Sequence, residues 1–481
     1  MPAGGHAAPA APLAAGQTGK ALRFSIAFFV FGLLNNALYV VILTAAVELL
    51  PAGVPTGVVA LTNIAPALLA KAVWPYALRG QVRYARRIAA CALLSAVGML
   101  LVGHSPVLAS RLTGIGIASF SSGLGELTFL QLSTRYGRRA GQAVGWFASG
   151  TGAAGLLGAA AWWLVRPLGV ALGLSLLAAL PLLMAACYLV LLPSREALEG
   201  DAAYRTLAES EPTPRASMAS ESDDDEELLR PRAQRRESMD VAPLPFGRGA
   251  GSARAVPFAR KMLLLRPMLL VYIAPLVLVY LLEYTINQGI APTLLYPLPS
   301  TSQHPLLGRI IRKLADYYVV YQTTYQAFVF LSRSSISMLR MPAIPRSWLW
   351  APAVMQALLV ALLASESLYA WFRPSIASPL VIVLVCVEGL AGGSAYVSVF
   401  YHIGTDPPSP APKTASGALL DETDEEREER QGQEQEFRIG SVGLGDTLGI
   451  LVAALISMPI EVSLCAAQVA SGRTLCREVK S

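Results

Sequence analysis

The sequence predicts an all-α polytopic membrane protein of about eleven transmembrane helices, each of the roughly 20 apolar residues a bilayer requires. Three observations carry this. Apolar runs of spanning length recur from residue 22 to the C-terminal region. Of the 481 residues, 54% are hydrophobic and 15% charged, against roughly 25% charged in soluble chains. The charge that exists is gathered into two interruptions, "ESDDDEELLRPRAQRRES" and "DETDEEREERQGQEQE".

Taken in order, residues 1–20 are Ala/Pro/Gly-rich, lack the basic region of a secretory signal, and read as a disordered tail. Residues 21–192 form a first membrane half of about six helices, at 22–46, 57–79, 87–104, 106–133, 141–165 and 168–192. Residues 193–262 hold the first charged interruption and few aromatics, the composition of a disordered segment. Residues 263–481 form a second half of about five helices, at 263–290, 314–336, 348–370, 376–403 and 438–460. Between the last two lies the acidic loop 404–437, also read as disordered.

Lys and Arg in short loops favour the cytosolic side. With a cytosolic N-terminus, Arg79, Arg83, Arg86 and Arg87 fall inside, as do Arg135, Arg138 and Arg139, then Arg260, Lys261 and Arg266, and finally Arg333, Arg340 and Arg346. The opposite loops carry Arg111, Arg166 and Arg373, with Arg309, Arg312 and Lys313 as the contrary group. The odd number of spans then puts the C-terminus in the lumen and loop 193–262 in the cytosol.

Several function classes are disfavoured. The net charge of +6 comes from residues at the ends of apolar runs, so no nucleic-acid partner is expected. The five cysteines (Cys91, Cys187, Cys386, Cys465, Cys476) form no CxxC pair and the four histidines are scattered, so no metal site is expected. A bond between Cys465 and Cys476 stays open if that end faces an oxidising lumen. "SGTGAAGLLGA", residues 149–159, has the GxGxxG spacing of a dinucleotide turn but no strand before it. Inside an apolar run its small residues instead let a neighbouring helix approach, through Gly141, Gly145, Ser149 and Gly152 on one face and Thr151, Gly155 and Gly158 on another. There is no GxxxxGK[ST] loop and no Ser/His constellation, so neither cofactor nor enzymatic chemistry is expected.

Ionisable residues within spans are costly and usually face a bundle interior or an aqueous path. Lys71, Glu126, Glu283, Glu388 and Asp446 are so placed, each acid beside glycines. Either they line a polar path or they are structural, as ion pairs or backbone-bonded carboxylates. In "DYYVVYQTTYQAFVFLSRSS", Tyr318, Gln322 and Tyr325 share one helical face, with glutamines too deep for an interfacial belt. Asn35, Asn36, Asn287 and Gln288 add hydrogen-bonding groups. Glu283 stands out, because Asn287 lies one turn away on the same face. Burial disfavours a charged carboxylate, so a Glu so placed can exchange protons in an acidic organelle; the alternative is an ion pair, with Lys71 as one candidate partner.

The blocks "GLLNNALYVV", "SSGLGELTFL", "SGTGAAGLLGA", "EYTINQG", "YQTTYQAFVFLSRSS", "EGLAGGSAYV" and "DTLGI", in this order, resemble the battenin family over residues 20–460. The resemblance implies a major-facilitator-like fold of two halves, a lysosomal or vacuolar membrane, and roles in organelle pH and solute transport, with basic amino acids and glycerophosphodiesters as associated solutes. This chain differs in having no N-x-S/T sequon, in ending "LCREVKS" rather than on a CaaX box, and in carrying Ser398 where "YVN" is usual. The partners expected are the lipid bilayer, a small-molecule solute, protons and cytosolic sorting adaptors. The last would read "DDEELL", where Asp224, Leu228 and Leu229 fit an acidic dileucine pattern. Two functions compete: a secondary transporter with its site between the halves, and a membrane regulator of vacuolar acidification or trafficking that moves no solute.

Overall fold

The computed structural model describes residues 12–49, 57–77, 83–194, 198, 258–299, 305–406 and 424–478. Helices are the only regular elements among the described residues. In chain order the long ones are α1 (Pro12–Leu49), α2 (Gly57–Ala77), α3 (Tyr84–His104), α4 (Leu108–Thr134), α5 (Ala140–Val165) and α6 (Val170–Leu191). After the central charged segment come α7 (Phe258–Thr293), α8 (Leu314–Arg333), α9 (Ala351–Tyr369), α10 (Pro374–Thr405) and α11 (Asp424–Ala470). Among the described residues seven helices are long and apolar enough to cross a membrane by length and composition. Of the others, α4 and α5 are mostly buried against neighbouring helices, so they need no apolar face all round.

Two helices start earlier than the sequence suggests. α1 begins at Pro12, within the segment read as a tail, with proline in the first turn where its missing N–H costs nothing. The acidic segment read as disordered through residue 437 is helical from Asp424. Glu, Gln and Arg are strong helix formers, and Arg430 and Glu434 pair one turn apart at 3.2 Å. Tertiary contacts then hold this outer part of α11. Arg260 of α7 reaches Glu434 at 3.0 Å, Tyr84 of α3 donates to the Glu436 carboxylate, and Gln131 of α4 donates to the Glu436 carbonyl at 3.0 Å. Asp224, Leu228 and Leu229 lie outside the described residues.

Small residues set the packing, as expected for membrane helices. Gly32 of α1 and Gly150 of α5 each face the other helix's backbone with no room for a side chain, and a carbon added at Gly158 would lie 2.8 Å from the Ala37 carbonyl. The run "SGTGAAGLLGA" is therefore a packing surface within a helix, as its apolar context implied. The division of its faces differs slightly: Gly150 and Gly158 serve α1, while Gly152 and Gly155 meet Phe330 and Gln326 of α8. Within the second half, Gly389 of α10 seats against the Tyr325 carbonyl of α8 and Gly449 of α11 against Val277 of α7. The two halves meet where α2 packs on α11 and where α5 packs on α8 and α10. Near the end of α11, Cys465 forms a disulfide with Cys476 beyond it, with a Cα–Cα distance of 5.8 Å, the bond the sequence left open.

Candidate functional site

The intramembrane charges singled out by the sequence, with Arg333, collect into three groups. The first joins α2, α4 and α11. Lys71 Nζ lies 2.8 Å from Glu126 Oε2 and 3.1 Å from Asp446 Oδ1, and donates to Thr447 Oγ1 at 2.8 Å. Tyr396 of α10 donates to the other Glu126 oxygen at 2.8 Å. An ammonium has three donors, and here all have acceptors. Lys71 therefore pairs with Glu126 and Asp446, not with Glu283. A cation from the first half is neutralised by one carboxylate from each half, so the triad ties the halves together.

The second group lies wholly in the second half. Glu283 of α7 accepts a hydrogen bond from Tyr325 of α8. Glu388 of α10 accepts one from Asn287 Nδ2 at 2.7 Å, and the same amide reaches the Glu283 carbonyl at 3.2 Å. Gln322 of α8 donates to Asn287 Oδ1 at 2.8 Å, fixing the orientation of that amide. Gln356 of α9 holds the Glu388 backbone carbonyl at 2.9 Å. A π-helical turn at Ile286–Ile290 carries Asn287, and such turns often mark functional positions. Glu283 and Glu388 are each 1% exposed, and each keeps one oxygen, Oε2, buried without a hydrogen-bond partner. No cation among the described residues pairs with either. Unpaired buried acceptors are expensive, and an acid pair in this state is fit to take a proton or a cationic group.

The third group centres on Arg333 at the end of α8, which the sequence reading counted as a cytosolic loop charge. Its guanidinium bonds to Thr151 of α5 and Tyr280 of α7, both at 2.7 Å. A signal for it was present in the sequence: Gln322, Gln326 and Arg333 continue the polar stripe of α8 at helical spacing.

Of the expected site residues, Glu283, Glu388, Asn287, Gln322 and Tyr325 come together, and Lys71, Glu126 and Asp446 form the separate triad. Tyr318 does not join its expected companions and is 40% exposed. Asn35 instead bonds the Ser122 carbonyl at 3.0 Å and lies against Gly125, locking α1 to α4. Asn36 and Gln288 are half-buried and bond to neither acidic group. Tyr280 and Gln356 are contributors that the sequence does not single out, and Thr151 reads there only as a packing residue.

The fold is that of the major facilitator superfamily. The chain is similar to the structure of the proton:xylose symporter XylE, with a TM-score of 0.51 and 12% identity over 95% of this chain and 94% of that one. It is similar also to the human organic anion transporter MFSD10, with a TM-score of 0.50 and 14% identity over 94% and 97% of the two chains. The profile of the family described as CLN3 protein matches residues 26–467. Protein BTN1 of Mycosarcoma maydis is 56% identical, covering 96% of this chain and 90% of that protein. Protein BTN1 of Cryptococcus neoformans is 39% identical over 97% and 98% of the two. The chain belongs to the CLN3, or battenin, family.

Proposed function

We propose that this chain is a secondary transporter of the vacuolar or lysosomal membrane that works by alternating access, carries basic amino acids or glycerophosphodiesters, and through proton coupling contributes to organelle pH. The observation that carries this reading is the Glu283–Glu388 pair, with two buried oxygens lacking donors in a helix bundle where Glu126 and Asp446 are paired by Lys71. A structural network satisfies its members; this one has two buried acceptors without donors. Protonation of Glu283 or Glu388 fills one of them, and a solute ammonium or guanidinium fills both. The Asn287–Gln322 relay keeps the amide donor on Glu388 in either case. The chain's own side chains supply this chemistry without a cofactor.

The deciding experiment is flux by purified protein in proteoliposomes under an imposed proton gradient, with labelled basic amino acids and glycerophosphodiesters in separate arms. Gradient-dependent accumulation of one class supports the reading. Protein that is folded and correctly inserted but moves neither class overturns it in favour of a membrane regulator of acidification or trafficking.

The same reading places the N-terminus and residues 193–262 in the cytosol and the C-terminus in the lumen, where the Cys465–Cys476 bond suits an oxidising secretory route. A pH-sensitive fluorophore fused to the C-terminus should be quenched in the organelle, and one fused to the N-terminus should not. Equal signals at both ends would refute the topology. Delivery should depend on the acidic dileucine pattern: replacing Leu228 and Leu229 by Ala is expected to move the protein to other membranes, as read by microscopy against a vacuolar dye. Unchanged delivery would remove the motif from the account.

A further inference from the structure

Arg333 differs from the other intramembrane cation at the seam. Lys71 is neutralised by two carboxylates, whereas no carboxylate among the described residues pairs with Arg333. Its bonds go to hydroxyls: Nη1 donates to Thr151 and Nη2 to Tyr280, both at 2.7 Å. Its guanidinium carbon lies 4.3 Å from the centroid of the Tyr396 ring, within cation–π range. Its Nε is buried without an acceptor. Ionisable side chains buried within a membrane bundle are costly and usually mark a ligand path or a partner. Neutral hydroxyls and a ring face hold the fork in place, and the acids that act on its charge, Glu283 and Glu126, do so from beyond ion-pair distance.

α10 adds a second observation. A side chain at Gly392 would strike the Glu283 carboxylate, and one at Gly393 would strike Ser332 and come within 3.2 Å of Arg333 Cγ. Successive glycines thus leave the cation and the acid on adjacent flanks of one bare helix step. We propose that Arg333 is an oxyanion-binding centre for a zwitterionic solute, whose phosphodiester or carboxylate takes the guanidinium fork while its cationic group turns toward Glu283. This rests on the transporter reading and names the substrate chemistry of its site. A bidentate oxyanion matches the fork and displaces Thr151 of the first half and Tyr280 of the second from it. Occupancy therefore alters a bond between the halves, which alternating access requires.

The test is equilibrium binding to the full chain in detergent, independent of flux. The probes are labelled glycerophosphocholine (phosphodiester), L-arginine (carboxylate) and choline (cation without an oxyanion). The wild type should bind one of the first two well above choline, and which one identifies the oxyanion. Arg333→Gln should weaken that binding at least about tenfold, ~1.4 kcal/mol, and Arg333→Lys should recover only part of it because a point charge lacks the fork. If the variants do not fold, phenylglyoxal labelling of Arg333 in the wild type replaces them, with the bound probe expected to slow it. Undiminished binding by folded Arg333→Gln, equal binding of choline, no binding of any probe, or no protection each overturns the proposal. Binding that depends on Arg333 without flux in proteoliposomes would sink the transporter reading and leave the oxyanion centre standing.

Discussion

Glu283→Gln should abolish the pH dependence of transport while leaving a folded, correctly delivered protein. The substitution keeps the size of the side chain and the acceptor for Tyr325, and removes only the ability to ionise. At the Oε2 position the amide nitrogen replaces an oxygen that has no partner, so no existing hydrogen bond is lost and the resting bundle is not expected to loosen. If one carboxylate carries the coupling proton, wild-type flux falls by up to about tenfold per pH unit on the alkaline side of its titration, since protonated fraction sets the rate. The variant's profile should be flat there, with gradient-driven accumulation lost and downhill exchange retained. The measurement is initial flux in proteoliposomes across the range from the acidity of the organelle to that of the cytosol. Glu388→Gln serves as the comparison, because Asn287 already donates to that carboxylate. A Glu283→Gln profile that superimposes on the wild type would assign coupling elsewhere.

Lys71→Met should be the most destabilising single change in the bundle. It leaves Glu126 and Asp446 facing each other with no cation between them. Removing one partner of a buried ion pair typically costs about 3–5 kcal/mol, because the remaining charge is stranded. The apparent melting temperature in detergent should fall by roughly 10 °C, read by fluorescence-detected size exclusion. The loss should shrink at acidic pH, where a proton on either carboxylate stands in for the ammonium. Adding Glu126→Gln and Asp446→Asn to Lys71→Met should recover much of the stability, because neutral groups of similar shape carry no stranded charge. Unchanged stability of Lys71→Met would mean that the triad contributes nothing to holding the halves together.

The fold was largely legible because lipid simplifies the code. A backbone in a bilayer must satisfy its own hydrogen bonds, so an apolar run of spanning length is almost forced to be a helix. Glycine runs then announce close helix contacts, as Gly150 and Gly158 do against α1. Within the site, Glu283 could be grouped with Asn287, and Gln322 with Tyr325, because helical periodicity predicts which residues share a face. Periodicity is silent about which helix lies opposite. Hence Lys71 was open as a partner for Glu283, when its carboxylates come from α4 and α11. Arg333 was read as a loop charge, because a basic residue at a helix end looks alike whether it faces cytosol or seam. Tyr318 stands apart for a different reason: it shares the stripe's angle on α8, but its side chain is left 40% exposed and joins none of the buried network. Charge-rich composition misled at Asp424, where contacts to α3, α4 and α7 order a segment that would not fold alone.

α11 is 47 residues long. At about 1.5 Å per residue it extends roughly 70 Å, more than twice the ~30 Å hydrocarbon thickness of a bilayer. Asp446 joins it to Lys71 of the first half, and its outer end begins at Asp424, roughly 33 Å away along the axis. Taken as a stiff rod pinned at that point, the helix is a mechanical arm. A tilt of about 10° around the pin, modest for a rocking bundle, sweeps the outer end through roughly 6 Å by the same rise per residue. The bonds of Glu434 and Glu436 to α7, α3 and α4 lie along that arm. The acidic segment is thus geared to the conformation of the membrane bundle: a small displacement at the triad becomes a large one at its far end.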